Sequence, residues 1–374
     1  MLRIRSVRAL GAIAGLLCCL AVPAEAQFFA ANNLVTDDQS ANAAQITDPG
    51  LKNAWGVSFG ATSPFWVSSN GAGTSTLYRV DPLTQATTKV SLVVTIPGAG
   101  NPTGQVFNSG NASGAFNGDL FLFVSEDGTV SGWRSSLGTA AETLALASSA
   151  NIYKGSAFAT IAGNSYLYGA NFHAGSIDVF KGSAAAPSLA GSFVDPTLPS
   201  GYAPFNVQRL GDSLYVAYAK QDAAKVEEVT GVGFGFVDRF DLQGNFLERV
   251  AGNGTLNAPW GLAIAPSSFG ALAGALLVGN FGDGRINAYN ATTHAFLGQI
   301  KGANDQPLEI DGLWALTPGN DGSAGSSSMI YFSAGPDDEE HGLFGVLVAV
   351  PEPSTYALLL AGLAIVGVIA RRRR

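Results

Sequence analysis

The chain repeats a pattern of short apolar runs separated by polar turns. In each of six consecutive units, a run of mostly apolar residues is followed by a turn rich in Gly, Asp and Asn, and then by another apolar run. Two such runs joined by a turn such as Glu126-Asp127-Gly128 predict a β-hairpin. The first members of these pairs are residues 65–68, 120–124, 166–170, 214–218, 276–279 and 329–333, and the second members are residues 76–80, 129–133, 177–180, 236–240, 286–289 and 343–347.

A short motif precedes each pair of apolar runs, and one position of this motif recurs at a nearly constant interval along the chain. A period near fifty residues with several strands per unit is typical of β-propeller blades. Gly is expected at this position because the innermost strands converge at the propeller axis, where a side chain would collide with a neighbouring blade. The position holds Gly56, Gly104, Gly155, Asn206, Gly261 and Gly312, at intervals of 48, 51, 51, 55 and 51 residues. Asn206 departs from the pattern and predicts a locally wider fourth blade.

The last unit contains three strands before the C-terminal tail begins. Residues 28–35, which precede the first unit, form an additional strand of suitable composition. Pairing of this strand with the last unit would complete a four-stranded blade and remove the open edge of the ring. The sequence therefore predicts an all-β, six-bladed propeller over residues 27–350, with its last blade closed by an N-terminal strand. Two packed β-domains are the alternative.

Five segments of the repeats carry a resemblance to a known family, at residues 202–206, 258–263, 277–284, 311–316 and 333–336. They are similar to an uncharacterised family of exported bacterial propeller proteins, and more distantly the units are similar to NHL repeats. The resemblance implies a propeller fold and export, but the family carries no established activity.

The N-terminus has the pattern of a secretory signal peptide. Three arginines precede an apolar run at residues 9–22, and Ala24-Glu25-Ala26 supplies a cleavage site between Ala26 and Gln27. Lipidation at Cys18 is disfavoured because the preceding residue is Leu17 rather than a small residue. Both cysteines of the chain lie in this segment, so residues 27–350 are predicted to form neither disulfides nor thiolate metal sites.

The C-terminus combines a short motif, an apolar run and a basic end. Pro351-Glu352-Pro353 is followed by residues 356–370, which carry no charge, and then by four arginines at 371–374. This order resembles the PEP-CTERM sorting signal of Gram-negative envelope proteins. The resemblance implies export, recognition by an exosortase-type transpeptidase near Pro351-Glu352-Pro353, and removal of the tail.

The length of the apolar run agrees with a temporary membrane anchor. A helix over residues 356–370 would span roughly 22 Å, less than the ~30 Å hydrocarbon core of a bilayer. The arginines that follow it are expected on the cytoplasmic side. The predicted protein is therefore held transiently in the inner membrane and then reaches the cell surface or the extracellular space. A C-terminal anchor that stays attached is the alternative.

Charge narrows the possible partners. The signal peptide carries three Arg and one Glu and the tail four Arg and one Glu, so their removal changes the net charge from −8 to −13. An acidic body with no basic face disfavours nucleic-acid binding.

Two motifs with catalytic or metal-binding associations are interpreted as structural. Gly56-Val57-Ser58-Phe59-Gly60 matches a nucleophile elbow, but it falls on a predicted innermost strand with no helix after it. Asp337-Asp338-Glu339-Glu340-His341 lacks the ligand spacing of an EF-hand and is predicted to be a solvated hairpin tip.

The predicted binding face is the one that carries the turns between the second and third strands of each blade. We expect Glu126, Asn171, Asn280 and Asp311 to approach the mouth of the axial tunnel on that face, where their oxygens could hold a hard cation such as Ca²⁺. The alternative is that Asn and Asp occupy these turns because they tolerate left-handed conformations. Trp55 and Trp260 are expected on the same face as exposed surfaces on which sugars can stack.

These features favour a surface or matrix-associated binding and scaffold module, with a carbohydrate, peptide or ion as ligand. The alternative is a metal-dependent hydrolase that uses the same face, by analogy with propeller lactonases. Such an enzyme would need a metal with an open coordination position and a base within hydrogen-bond reach. The sequence does not identify an activity, and we favour a protein that is not an enzyme.

Overall fold

The computed structural model describes residues 28–350, together with Arg371. Within these residues the regular structure is β-sheet, apart from short 3-10 helices at Asn70–Ala72, Asn111–Ser113, Ala115–Gly118, Ser135–Leu137 and Ser267–Leu272. The predicted signal peptide, the sorting residues Pro351, Glu352 and Pro353, and the predicted membrane helix at 356–370 lie outside the described residues.

The strands of residues 28–350 form six sheets, which are the blades of the propeller. Strands β1 (Phe28–Thr36) and β2 (Ile46–Thr47) come first in the chain. Blade one then contains β3 (Ala54–Ser58), β4 (Phe65–Ser69), β5 (Thr74–Val80) and β6 (Thr87–Thr95). Blade two contains β7 (Pro102–Phe107), β8 (Phe121–Ser125), β9 (Val130–Trp133) and β10 (Glu142–Ala145). Blade three contains β11 (Tyr153–Ile161), β12 (Asn164–Asn171) and β13 (Ser176–Lys181).

The second half of the ring follows the same plan. Blade four contains β14 (Tyr202–Leu210), β15 (Ser213–Gln221), β16 (Glu228–Val229), β17 (Gly235–Asp241) and β18 (Phe246–Gly252). Blade five contains β19 (Pro259–Ile264), β20 (Leu276–Asn280), β21 (Ile286–Tyr289) and β22 (Phe296–Gln299). Blade six contains β23 (Leu313–Pro318), β24 (Ile330–Ala334) and β25 (Leu343–Val350), together with β1 and β2.

The N-terminal strand closes the ring, as the sequence predicts. Strand β1 pairs antiparallel with β25, in a register that runs from Phe28 opposite Val350 to Thr36 opposite Leu343. The pairing fills the edge that three strands would leave open. Phe29 of this strand also packs against Phe269 of blade five, with ring centroids 4.5 Å apart. The six-bladed propeller and its closing strand are therefore confirmed.

The innermost strands approach one another closely at the repeated glycines. A Cβ atom on Gly56 would lie 2.5 Å from the carbonyl oxygen of Thr103 in the next blade, and one on Gly261 would lie 2.7 Å from that of Trp314. Such distances leave no room for a side chain, which is the steric reason for Gly at these positions.

The predicted position in blade six is wrong by three residues. Leu313 pairs with Ala334 as Ala54 pairs with Ser69 in blade one, so Ala315 is the equivalent of Gly56. Gly312 lies in the turn before the strand, where its φ of +62° favours Gly for a different reason. The sequence motif selected the turn glycine because it was the only Gly near the expected interval.

Candidate functional site on the turn-rich face

Three tryptophans pack together near the face that carries the turns between second and third strands, which we call the turn-rich face. Each is the second residue of an innermost strand, and all three are buried: Trp55 in β3, Trp260 in β19 and Trp314 in β23. The rings of Trp55 and Trp314 stack with centroids 3.6 Å apart, and Trp260 meets Trp55 edge-on at 6.3 Å. The prediction that Trp55 and Trp260 are exposed stacking surfaces is wrong, because the converging strands pack these rings against one another.

A buried lysine occupies the same position in blade three. Lys154 is the second residue of β11, as Trp55 is of β3, and its side chain is 1% exposed. Its Nζ donates to Glu126 Oε1 at 2.6 Å and to Glu227 Oε2 at 2.9 Å, and it lies 5.3 Å from the centroid of the Trp55 ring. The ammonium group is thus paired with two carboxylates next to the Trp55 ring.

Each of the two partner glutamates comes from a turn of a neighbouring blade. Glu126 lies between β8 and β9, and Asn70 of blade one donates to its second carboxylate oxygen at 2.9 Å. Glu227 lies between β15 and β17, with a side chain that is 59% exposed. The turns between second and third strands therefore meet the beginnings of the innermost strands on one face, as predicted.

Two further carboxylates belong to this group. Glu228 in β16 has a buried Oε2 for which the described residues supply no hydrogen-bond partner. Glu339, in the turn between β24 and β25, accepts a hydrogen bond from Asn53 Nδ2, and Asn53 Oδ1 in turn accepts one from Trp314 Nε1 at 3.1 Å. We call Lys154, Glu126, Glu227, Glu228 and Glu339 the axial charge cluster.

The cluster couples the ionisation of its members. Burial opposes the charge on Lys154, but attraction by Glu126, Glu227 and Glu228 raises its pKa above the ordinary value. Burial raises the pKa of Glu228, although Lys154 acts in the opposite direction. Burial, followed by repulsion from Glu228, raises the pKa of Glu339 to about 7. Near neutral pH the cluster therefore holds one fixed positive charge and a surplus of carboxyl groups, of which Glu339 is partly protonated.

The four residues predicted as metal ligands have different surroundings. Glu126 belongs to the axial charge cluster. Asn171 donates to Asn151 Oδ1 at 2.9 Å and to Asp178 Oδ2 at 2.8 Å within blade three. Asn280 donates to the Thr255 carbonyl oxygen at 2.8 Å and to Asp283 Oδ1 at 3.0 Å. Asp311 is exposed and accepts a hydrogen bond from the backbone N–H of Asp337 at 2.8 Å.

Among the residues that the structure describes, only Glu126 of these four is thus hydrogen-bonded to another member of the axial charge cluster. Across residues 28–350, no group of three or more His, Cys, Asp or Glu side chains is arranged to hold a metal ion. A site that combines Glu126 with the amide oxygens of Asn171 and Asn280 and with Asp311 stays a prediction.

Sequence reasoning missed four members of the cluster. The alignment of Tyr153-Lys154-Gly155 with Ala54-Trp55-Gly56 already places Lys154 at a tryptophan position, and this was the available signal. The acidic segment at 337–341 is only partly the solvated tip that was expected. Asp337 and Asp338 are exposed, but Glu339 turns inward and is half-buried because Asn53 binds its carboxylate.

Comparison with known proteins addresses the tail and the body separately. Residues 349–374 match the family model described as the PEP-CTERM protein-sorting motif. The uncharacterized protein R648 of Acanthamoeba polyphaga mimivirus is 32% identical over 321 residues, which cover 81% of this chain and 76% of R648. The uncharacterized protein L690 of the same virus is 31% identical over 319 residues, which cover 80% of this chain and 81% of L690.

The chain belongs to the R648 and L690 family. Among solved structures, the α-L-arabinanase of Penicillium chrysogenum complexed with arabinobiose aligns with a TM-score of 0.50 at 11% identity, covering 85% of this chain and 98% of that one. At this level of identity the likeness shows the propeller fold alone.

The match to the sorting motif confirms the resemblance seen in the tail. This member of the R648 and L690 family is therefore an exported propeller that is a substrate of an exosortase. In the part of the chain that the structure describes, no helix has the length and apolar character needed to cross a membrane.

Proposed function

We propose that the protein is a binding and scaffold module of the cell surface or extracellular matrix, and that its turn-rich face binds a cation. The observation that supports this proposal is the surplus of carboxyl groups in the axial charge cluster. Four glutamates from blades two, four and six surround a single ammonium group, and Glu228 Oε2 is buried with no partner among the described residues. A second positive charge would relieve this imbalance.

The ligand class follows from the same arrangement. Among the described residues no three acidic side chains are arranged to hold a metal ion by themselves, so a divalent cation such as Ca²⁺ would need further oxygen ligands from backbone carbonyl groups or water. An amine of a basic peptide would make the same electrostatic interaction. A carbohydrate finds no stacking surface here, since the three tryptophans are buried.

The test is titration of the exported protein with CaCl₂ after treatment with a chelator, followed by titration with a lysine tetrapeptide. We expect Ca²⁺ to bind, and Glu228→Gln to weaken binding at least tenfold by removing one carboxylate. Glu309→Gln is the matched control, because Glu309 pairs with Arg285 outside the cluster. Binding of the peptide but not of Ca²⁺ would identify the amine as ligand. The proposal fails if neither binds, or if both variants behave like the wild type.

One observation favours the alternative of a hydrolase. A carboxyl group with a pKa of about 7, as in Glu339, is suited to act as a general base at neutral pH. A lactone-hydrolysis assay with Ca²⁺ or Zn²⁺ present separates the two functions. We expect no turnover above background, and turnover that disappears in Glu339→Gln would favour the enzyme.

The processing scheme is part of the proposal. Residues 1–26 act as a signal peptide, residues 27–350 form the propeller, and residues 351–374 form the sorting signal. The tail spans the inner membrane until an exosortase removes it, and the propeller is then released to the surface or the surroundings. The match at 349–374 supports this scheme.

A further inference from the structure

A second opening lies at the other end of the propeller axis. The ends of innermost strands from five of the blades surround a pocket of about 310 Å³, far from the turns that carry the axial charge cluster. Phe59, Phe107 and Phe158 contribute apolar surface to its wall, and Ser58, Ser156 and Gln208 contribute polar groups. The proposed cation site uses none of these residues.

The pocket continues inward and ends blindly. Gln105, Ser156 and Gln208 line both the pocket and a smaller enclosed cavity of about 20 Å³ beneath it. Trp260 lines the inner cavity, so the cluster of buried tryptophans lies between this end of the axis and the turn-rich face. The inner cavity has room for about one water molecule. A ligand would therefore enter from the outer pocket and extend one polar group towards the floor.

Polar atoms at the floor have no partner within residues 28–350. Ser156 Oγ and Asn206 Oδ1 are buried and make no hydrogen bond there, and their side chains belong to residues that are 5% and 1% exposed. Buried polar atoms in native proteins are nearly always satisfied, so an unpartnered pair beside a cavity points to a bound water or ligand. Together these atoms can accept a hydrogen bond at Asn206 and either donate or accept one at Ser156.

The pocket is almost neutral. Among the described residues that line it, Arg209 is the only charged one. Its Nε donates to the carbonyl oxygen of Gly211 at 2.9 Å, and its guanidinium lies 3.8 Å from Asp212, which compensates its charge. The lining therefore combines hydroxyl and amide groups with aromatic surface and offers no net charge to bind an ion.

We propose that this pocket binds a neutral sugar ring. Sugar hydroxyls both donate and accept hydrogen bonds, which matches Ser58, Ser156 and Gln208, and the apolar face of the ring can pack against the phenylalanines. At about 310 Å³ the pocket is at the lower end of the ~300–1,000 Å³ range of small-molecule sites, which suits one ring rather than a chain. The proposal is independent of the cation site, because the two lie at opposite ends of the axis.

The test is saturation-transfer NMR on the exported protein with glucose, galactose, mannose and N-acetylglucosamine as separate probes. We expect at least one of them to bind. Gln208→Leu and Ser156→Ala should each weaken that binding at least fivefold. Gln243→Leu is the matched control, because Gln243 is exposed on another part of blade four. Glu227→Gln tests the opposite face and should leave sugar binding unchanged.

Three results would overturn the proposal. The first is the absence of binding by all four sugars. The second is binding that Gln208→Leu and Ser156→Ala leave intact while both variants keep the melting temperature of the wild type. The third is binding that Glu227→Gln abolishes, which would place the sugar on the turn-rich face. Failure of Ca²⁺ binding has no bearing on any of these outcomes.

Discussion

The side-chain amide of Asn206 donates a hydrogen bond to the carbonyl oxygen of Trp260, 2.8 Å away, and so joins the innermost strands of blades four and five. Four other blades have Gly at this position. The side chain of Asn206 is accommodated because its neighbour in blade three is Gly155, where a Cβ atom would lie only 2.8 Å from the Cα of Asn206. One polar side chain at the axis thus depends on a glycine beside it.

Gly56→Ala should destabilise the ring. The added methyl group would lie 2.5 Å from the carbonyl oxygen of Thr103 and 2.9 Å from the backbone nitrogen of Gln105, so two innermost strands would have to move apart. We expect a loss of about 1–3 kcal/mol in the free energy of unfolding, measured by chemical denaturation. Gly302→Ala is the control, because its Cβ would approach nothing more closely than the flexible tip of Asn304 at 3.2 Å, and the nearest backbone atoms would be at 3.9 Å. Equal losses in the two variants would contradict the steric explanation.

Phe29→Ala should weaken the closure of the ring. Phe29 is 1% exposed and packs against Phe269 across the boundary between blades six and five. Truncation of a buried Phe costs about 3–5 kcal/mol, so the midpoint of denaturation should fall clearly. The same change at Phe296, which is 50% exposed on β22, should cost about 0.5 kcal/mol or less. A small effect at Phe29 would mean that β1 is dispensable for stability.

The repeat predicts the blades and the closing strand because blade number depends only on period and strand count. It does not predict which side chains are packed at the centre of the ring. Lys154 stands where Trp55 stands in blade one, and only the packing of neighbouring turns shows that its side chain is buried and paired. Glu227 and Glu228 lie in the longest interval between repeated positions, where the extra residues interrupt the pattern. The candidate site was therefore predicted as a face, and only Glu126 was predicted as a member of its centre.

Lys154→Met should be strongly destabilising. Removal of the Lys154 ammonium group leaves the carboxylates of Glu126, Glu227 and Glu228 without their common partner. An uncompensated buried charge costs about 3–5 kcal/mol in the free energy of unfolding. We expect the lower end of this range, since the side chain of Glu227 is 59% exposed. Lys301→Met is the matched control. Its pair with Asp305 is exposed, so the loss should be about 0–1 kcal/mol in the same denaturation experiment.

A second substitution checks this explanation. Combining Lys154→Met with Glu126→Gln removes both charges of one pair, so the double variant should lose less stability than the sum of the two single variants. Additive losses would show that the ammonium group and this carboxylate do not interact.

Glu339→Gln should change how stability depends on pH. The pKa of Glu339 is about 7 in the folded protein against 4.5 for the unperturbed group, so the folded state retains the proton to higher pH. The wild type therefore loses stability from this group as pH rises from about 4.5 to about 7. The variant cannot ionise at this position, and its stability relative to the wild type should increase between pH 5 and pH 8.

The control for this prediction is Glu340→Gln, the exposed neighbour. Unfolding free energies of the three proteins at pH 5 and pH 8 provide the comparison. A change in Glu340→Gln of the same size, or a relative stability of Glu339→Gln that is independent of pH, would contradict the raised pKa.

Sorting should remove the tail. We expect the mature protein to end close to Pro351-Glu352-Pro353, and replacement of these three residues by Ala to leave an uncleaved form in the inner membrane. Replacement of the arginines at 371–374 should impair orientation, because basic residues hold that end on the cytoplasmic side. Intact mass of protein recovered from the native surface is the decisive measurement. A product that retains residues 356–374 would indicate permanent anchoring.

The pairing of Phe28 with Val350 also means that the ring can close only after both ends of the propeller have been exported. Strand β1 is exported first, but it can pair only after β25, more than three hundred residues later, has also been exported. Blade six is thus unfinished for almost the whole of translocation. The match to the sorting motif begins at residue 349, within the last two residues of β25. The ring can therefore close while the chain still carries its tail, and the proposed cleavage near Pro351 would release a complete ring in which Phe28 and Val350 lie side by side.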